Sequence, residues 1–164
     1  MSTKNTIDDG RRWAEAVEAA CITQKLRLTP ARQDVLKILA SATGPLGAYG
    51  ILAEMPKPGG KVAAPPTVYR ALEFLLDNGF VHRLESRNAY ARCGHVGHAH
   101  LGVRLICERC GRSAEVEDAA LETRLAAAAK ATGFRPSRRV VELQGLCREC
   151  SVISLLPLGE TGRG

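Results

Sequence analysis

The stretch PPTVYRALEFLLDNGFVHRLESRNAYARC, residues 65–93, decides the fold. Its first half reads as a helix from about Pro66 to Asn78. At roughly 100° per residue, Val68, Ala71, Leu72, Leu75 and Leu76 fall on one side, with Arg70, Glu73 and Asp77 on the other. Thr67 and Tyr69 sit on the flanks near its N-terminus. Proline at the first turn and Gly79 after the last are the ordinary start and stop of a helix. Phe80–Glu85 and Ala89–Cys93 follow, separated by the polar Ser86-Arg87-Asn88, which reads as a β-hairpin.

Upstream, three shorter helical patterns lead into this unit. Residues 1–10 are polar, and their expected state is frayed. From Arg11 to about Arg27, Trp13, Val17, Ala20 and Cys21 form one stripe. Cys21 then reads as a packing thiol. Thr29-Pro30 opens a second helix as N-cap and first helical residue. That helix buries Val35, Ile38 and Leu39 and ends at Gly44-Pro45. A third helix spans Ala48 to Met55, and Pro56–Pro65 is a loop. Three helices, a recognition-type helix and a hairpin make a winged helix-turn-helix.

Downstream the pattern changes. Leu101, Val103, Leu105 and Cys107 alternate with Gly102, Arg104 and Ile106, which predicts a strand. Cys110-Gly111 is a metal-knuckle turn, and Ser113–Glu117 a second strand. Asp118 caps an alanine-rich helix running to Thr132 and stopped by Gly133. Arg138–Leu146 is a third strand, and Gly159–Gly164 a loose tail. The order β-β-α-β predicts a small α/β unit with antiparallel or mixed pairing. The fold class is therefore α+β, with residues 1–90 as the winged helix, 91–94 as hinge, 95–158 as the second domain and 159–164 as tail.

Apolar residues are 45% of the 164 and aromatics only 4%, so the core is built mainly from Leu, Val, Ile and Ala. No apolar run approaches the roughly 18–20 residues that a bilayer requires, and the N-terminal residues show no secretory h-region. The expectation is a soluble, cytoplasmic protein. The net charge of +6 fits a polyanion partner. Residues 1–80 hold 10 basic against 8 acidic groups and residues 81–164 hold 13 against 9, so charge does not single out the winged helix.

Four of the six cysteines form two pairs of equal spacing, Cys107-x-x-Cys110 and Cys147-x-x-Cys150. Two such turns complete a tetrahedron of thiolates around zinc, a closed shell that makes a structural site. A redox pair is the other reading, and two pairs of equal spacing favour zinc. A second constellation gathers His82, Cys93, His95, His98, His100 and Glu115 at the junction of the two domains. One soft thiolate with imidazoles and a carboxylate suits Zn²⁺ better than Fe²⁺. The alternative is a polar loop of exposed histidines beside a packed cysteine.

Several segments are similar to those of one family: Arg27-Leu-Thr-Pro-Ala-Arg32, Ala48-Tyr49, Pro65–Leu72, Gly79-Phe-Val-His82, Cys107-Glu-Arg-Cys110-Gly111 and Gly145–Cys150. Over about residues 10–156 the chain resembles the ferric uptake regulator family, in its zinc uptake regulator branch. The resemblance implies a homodimeric repressor that binds palindromic, AT-rich double-stranded DNA when its regulatory metal is present, and whose second domain dimerises. It implies two Zn(II) per protomer. Cys107, Cys110, Cys147 and Cys150 match the structural site. His82, Cys93, His100 and Glu115 match the regulatory site, with His95 and His98 as alternative donors. Tyr49, Tyr69 and Arg70 match positions of DNA contact, and Thr67 lies on the same helix edge. Iron and peroxide sensors of this family usually carry a histidine where this chain has Arg104, and residues 1–81 contain no histidine. Both departures favour the zinc branch over sensors of iron, nickel or peroxide. From a different class, a zinc metalloenzyme lacks support. Neither a His-x-Glu with Pro-Cys-x-x-Cys nor a His-Glu-x-x-His occurs.

Overall fold

In the computed structural model, residues 3–60, 63–96, 102–136 and 139–155 are described. Helices α1 (Thr3–Thr23), α2 (Pro30–Ser41), α3 (Ala48–Glu54) and α4 (Pro65–Asp77) precede a hairpin of β2 (Val81–Leu84) and β3 (Ala89–Arg92). A two-residue strand, β1 (Leu46–Gly47), pairs antiparallel with the far edge of β3 and gives the sheet order β1-β3-β2. This is the winged helix-turn-helix that residues 65–93 predict. Strand β3 runs to Arg92, two residues into the stretch expected as hinge.

Helix α4 buries Val68, Ala71, Leu72, Phe74 and Leu75. Phe74 stands about 120° round the wheel from Val68, so a single-stripe reading leaves it outside the core. It is buried because α4 is covered from two directions. The Arg32 guanidinium of α2 lies 3.7 Å over its ring, and Phe80 meets it edge to face at 6.3 Å. Leu76, expected inside, is half-buried. Gly79 ends the helix at φ 68°. The N–H of Phe80 donates to the Leu75 carbonyl at 2.9 Å and that of Gly79 to Leu76 at 3.0 Å. These two bonds form a Schellman stop, sealed by contact between the apolar residues on either side of the turn. The chain therefore leaves α4 directly into the wing.

Helix α1 begins at Thr3, well before the expected Arg11. Its Trp13 donates Nε1–H to the Phe80 carbonyl at 3.2 Å, tying the first helix to the start of the wing. At Gly10 an added Cβ would lie 1.9 Å from the Ala40 carbonyl oxygen, so only glycine permits this approach to α2. Thr29 takes the N-cap position before Pro30, but its side chain makes no capping bond. The wing turn closes through Asn88 in the left-handed region, φ 46°, a conformation that asparagine tolerates better than most side chains.

The second sheet is mixed, in the order β5-β4-β6, from β4 (Gly102–Cys107), β5 (Ser113–Glu117) and β6 (Val141–Gly145). Strand β5 is antiparallel to β4, and β6 is parallel to it after the crossover through α5 (Ala119–Ala131). Asp118 caps α5, its Oδ1 accepting from the N–H groups of Ala120 and Leu121 at 2.9 and 3.0 Å. Helix α6 (Arg148–Leu155) was not expected. It starts inside the second cysteine pair, where the sequence reads as a turn.

The two faces of this sheet differ. Val103, Leu105, Ala114, Val116, Val141 and Leu143 share one face, on which Leu105, Val116 and Leu143 are exposed. Arg104, Ile106, Glu115 and Glu142 share the other, which packs on the wing, where Ile106 clusters with Leu84 and Ala91. The alternating pattern of β4 thus places its charged side inward and Leu105 outward. Among the described residues, no helix is long and apolar enough to cross a membrane.

Candidate metal centres

Two groups of ligand-type side chains converge. The first sits where β4 and β6 end side by side. Cys107 is the last residue of β4 and pairs in register with Gly145, two residues before Cys147. The Glu108 N–H donates to the Gly145 carbonyl at 2.8 Å, and the knuckle closes as Gly111 N–H donates to the Cys107 carbonyl at 3.0 Å with φ 75° at Gly111. Cys150 enters from the first turn of α6. The four sulfurs lie within 4.8 Å of one another, with Cys110 and Cys147 3.8 Å apart. A tetrahedron with Zn–S near 2.3 Å needs sulfurs about 3.8 Å apart, so this set fits zinc.

Backbone and arginine groups surround these thiols. Hydrogen bonds from the backbone at Cys110 and Cys147 pull the Cys107 thiol down to about 6. The Cys147 N–H lies 3.3 Å from its sulfur. Arg112 Nε donates to Cys110 Sγ at 3.5 Å and draws that thiol down as well. Arg112 is itself held by an ion pair with Glu149. Burial pushes Cys150 up to about 12. These outer contacts orient the thiols and favour negative charge on Cys107 and Cys110.

The second group joins the two halves of the chain. His82 projects from β2, Cys93 follows β3, and Glu115 lies in the middle of β5. Their ligand atoms lie within 4.8 Å of one another, with His82 Nε2 3.4 Å from Glu115 Oε1. Tetrahedral zinc with nitrogen and oxygen ligands near 2.0–2.1 Å needs them about 3.4 Å apart. The donor set of imidazole, thiol and carboxylate fits the same ion. Glu115 also accepts the Gly94 N–H on Oε2 at 3.3 Å, next to Cys93. Cys93 is buried, and burial pushes its thiol up to about 11, with Glu115 and Glu117 raising it further.

His95 stands apart from this group, its Nδ1 3.0 Å from Glu117 Oε1. His98 and His100 lie outside the described residues. Two neighbours are legible only in the structure. Arg104, 5% exposed, brings Nη2 to 3.1 Å from Glu115 Oε1. On the far side of β4, Glu142 accepts the N–H groups of Glu85 and Ser86 at 2.7 and 3.1 Å, pinning the wing turn to β6. The sequence signal for both was the polar half of an alternating strand, which ordinarily marks a solvent face.

The residues proposed for DNA contact are on the outside of the helical unit. Tyr49 is 74% exposed at the start of α3, and Tyr69, 40% exposed, lies beside exposed Arg70 in the first turns of α4. Thr67 is half-buried.

A model of the ferric uptake regulator family matches residues 23–144. The chain belongs to that family. It is therefore a DNA-binding transcription regulator and not an enzyme. The zinc uptake regulation protein of Escherichia coli (strain K12) is 38% identical over 134 residues, 81% of this chain and 78% of that protein. A solved structure of a zinc uptake regulator complexed with zinc and DNA superposes with a TM-score of 0.81 at 35% identity, covering 88% of this chain and 97% of the other. Holo XcZur gives 0.77 at 45% identity, covering 86% and 98%. The apo form of XcZur gives 0.53 at 46% identity, covering 88% and 99%. At nearly equal identity, this chain superposes more closely on the holo form of XcZur than on the apo form.

Proposed function

We propose that the chain is a zinc-responsive, homodimeric repressor of zinc uptake genes, acting in the cytoplasm on palindromic, AT-rich operators. The observation that carries this reading is the convergence of Glu115, from the second sheet, on His82 and Cys93 of the wing. A ligand set with His82 before residues 91–94, Cys93 within them and Glu115 after them responds to metal by fixing one domain against the other. We place the domains at 1–90 and 95–158.

The four cysteines hold a structural zinc, and His82, Cys93 and Glu115 hold a regulatory one, with His100 as the fourth donor from the intervening segment. Two zinc ions per protomer follow. Bound zinc supplies cross-linking charge at the wing and no redox chemistry. His82 orients the β2 side of the wing, Cys93 its exit, and Glu115 the sheet beneath. The exposed apolar residues Leu105, Val116 and Leu143 supply the face for a second copy of this chain. In the dimer, the Thr67–Tyr69–Arg70 edge of α4 enters the major groove, where Arg70 pairs with a guanine edge and Tyr49 contacts the phosphate backbone nearby. Palindromic half-sites require a fixed separation of the two reading helices. Fixing the wing against the dimer sheet sets that separation.

The test is binding of a palindromic, AT-rich fragment, selected from random DNA by the metal-loaded protein, in buffered Zn²⁺, Fe²⁺, Mn²⁺ and Ni²⁺ with metal counted in parallel. Activation selective for zinc at two ions per protomer is the expected result. Activation by Fe²⁺ alone, or DNA binding indifferent to all four, would overturn the reading.

A further inference from the structure

Arg104 is the buried charged residue of the described core, and it sits at the border of the second centre. In the middle of β4 it lies in register with Glu115 on one side and Glu142 on the other. The Arg104 and Glu115 side chains are each only 7% exposed. Glu115 Oε1 lies 3.1 Å from Arg104 Nη2 and 3.4 Å from His82 Nε2. The other oxygen, Oε2, is taken by the N–H of Gly94.

A carboxylate can give a cation one oxygen or both. Here the second oxygen is tied to backbone adjoining Cys93, and the first already has a guanidinium against one side. Turning both oxygens toward an ion would break the Gly94 bond and draw Glu115 away from the buried Arg104 charge, leaving it Glu142 as its acidic neighbour, which is costly. Arg104 sits on the central strand of its sheet. It is flanked by strands on both sides, and Glu142 is held by the wing turn. A guanidinium stays protonated at any accessible pH, so Glu115 donates to a metal with weakened charge. Ions that rely on hard oxygen ligands and six-coordination, such as Mn²⁺, lose most from this. Zinc, which takes four ligands and draws strongly on a thiolate, loses least.

We infer that Arg104 is a selectivity-determining positioning residue: it holds Glu115 as a one-oxygen donor and so biases the His82–Cys93–Glu115 centre toward four-coordinate, thiolate-accepting ions. This rests on the metal-site reading above.

The experiment uses the full chain with its structural site zinc-filled and the second site cleared by a chelator, then loaded with Co²⁺. Tetrahedral Co²⁺ absorbs strongly in the visible and six-coordinate Co²⁺ weakly, and a thiolate ligand adds a near-ultraviolet charge-transfer band. Wild type should show intense visible bands plus the charge-transfer band. Arg104→Gln should weaken the visible bands while keeping the charge-transfer band. It should also lower the ratio of Zn²⁺ to Mn²⁺ affinity by about 10- to 100-fold. Arg104→Lys should fall between, with melting temperature and structural zinc content as in wild type. Unchanged spectra and affinity ratios in both variants would overturn the role of Arg104. If the Gln variant does not fold, the Lys variant alone decides by the same two readouts. A wild-type charge-transfer band that survives Cys93→Ser would sink the metal reading itself, and with it this inference.

Discussion

The two candidate centres of this chain are built from similar atoms in opposite ways. The four-cysteine group draws every ligand from one unit, at the ends of two adjacent parallel strands and the helix that follows. Its ligands are near neighbours whatever the rest of the chain does. The His82–Cys93–Glu115 group draws two ligands from the wing and one from the sheet beneath, so it exists only while those units are docked. The first suits a structural part, whose metal is part of folding. The second suits a switch, whose metal reports and fixes an arrangement. The surroundings agree. Arg112 and backbone N–H groups lower the Cys107 and Cys110 thiols, while burial raises Cys150 in that group and, with two carboxylates, keeps the Cys93 proton on in the other.

The largest effect should come from breaking the first group. Structural zinc sites in small domains carry about 10–16 kcal/mol of apparent binding free energy. Cys107→Ser or Cys147→Ser should therefore release the zinc and unfold the second sheet, with the dimer falling apart in sedimentation and the melt broadening or vanishing. A variant that keeps its dimer and its melting temperature would erase the contrast.

Cys93→Ser should be milder and more specific. The structural zinc, the dimer and the melt should persist, while zinc-dependent binding of the selected DNA fragment is lost. Full zinc-dependent binding by that variant would place the switch elsewhere. Arg70→Ala changes neither centre. It should cost about 1–3 kcal/mol of operator affinity and relax sequence preference while leaving salt-dependent background binding. Unchanged affinity would remove Arg70 from the reading edge.

The gentlest perturbation is a change of pH. Since the Cys93 thiol sits at about 11, it holds its proton at neutral pH and must lose it to ligate zinc. Zinc affinity of the second centre should then rise about tenfold per pH unit through the neutral range, with at least one proton released per ion. Calorimetry in two buffers of different ionisation enthalpy reads this directly. Release of no proton would mean that Cys93 is not a ligand.

Much of this contrast was legible in residues 65–93 and in cysteine spacing, because those signals are local. A proline start, a Schellman glycine and a hairpin turn act within a few residues of each other, and two equal cysteine pairs constrain a metal by themselves. The tertiary parts were not legible. Phe74 lies off the apolar stripe of α4 and is buried because α2 and Phe80 cover a second side. Arg104 and Glu142 sit on the polar half of alternating strands, a pattern that usually means solvent. Here that face is covered by the wing, while the apolar face carrying Leu105 and Leu143 is left outward in a single chain. Helix α6 was hidden because its first turn lies inside the Cys147-x-x-Cys150 pair, which reads as a turn. Of the junction cluster, sequence proximity pointed to His82, Cys93 and His95 alike. The resemblance ranked His95 only as an alternative donor, and the fold turns it to Glu117.

The central claim is that the second centre couples zinc to DNA through domain arrangement, and coupling of this kind is reciprocal. The most direct measurement is the zinc affinity of that centre, with the structural site filled, in the absence and presence of saturating operator fragment. Zinc should bind about 5- to 150-fold more tightly with DNA present, equivalent to ~1–3 kcal/mol, and by the same factor that zinc tightens DNA. Equal zinc affinity in the two conditions would contradict the claim.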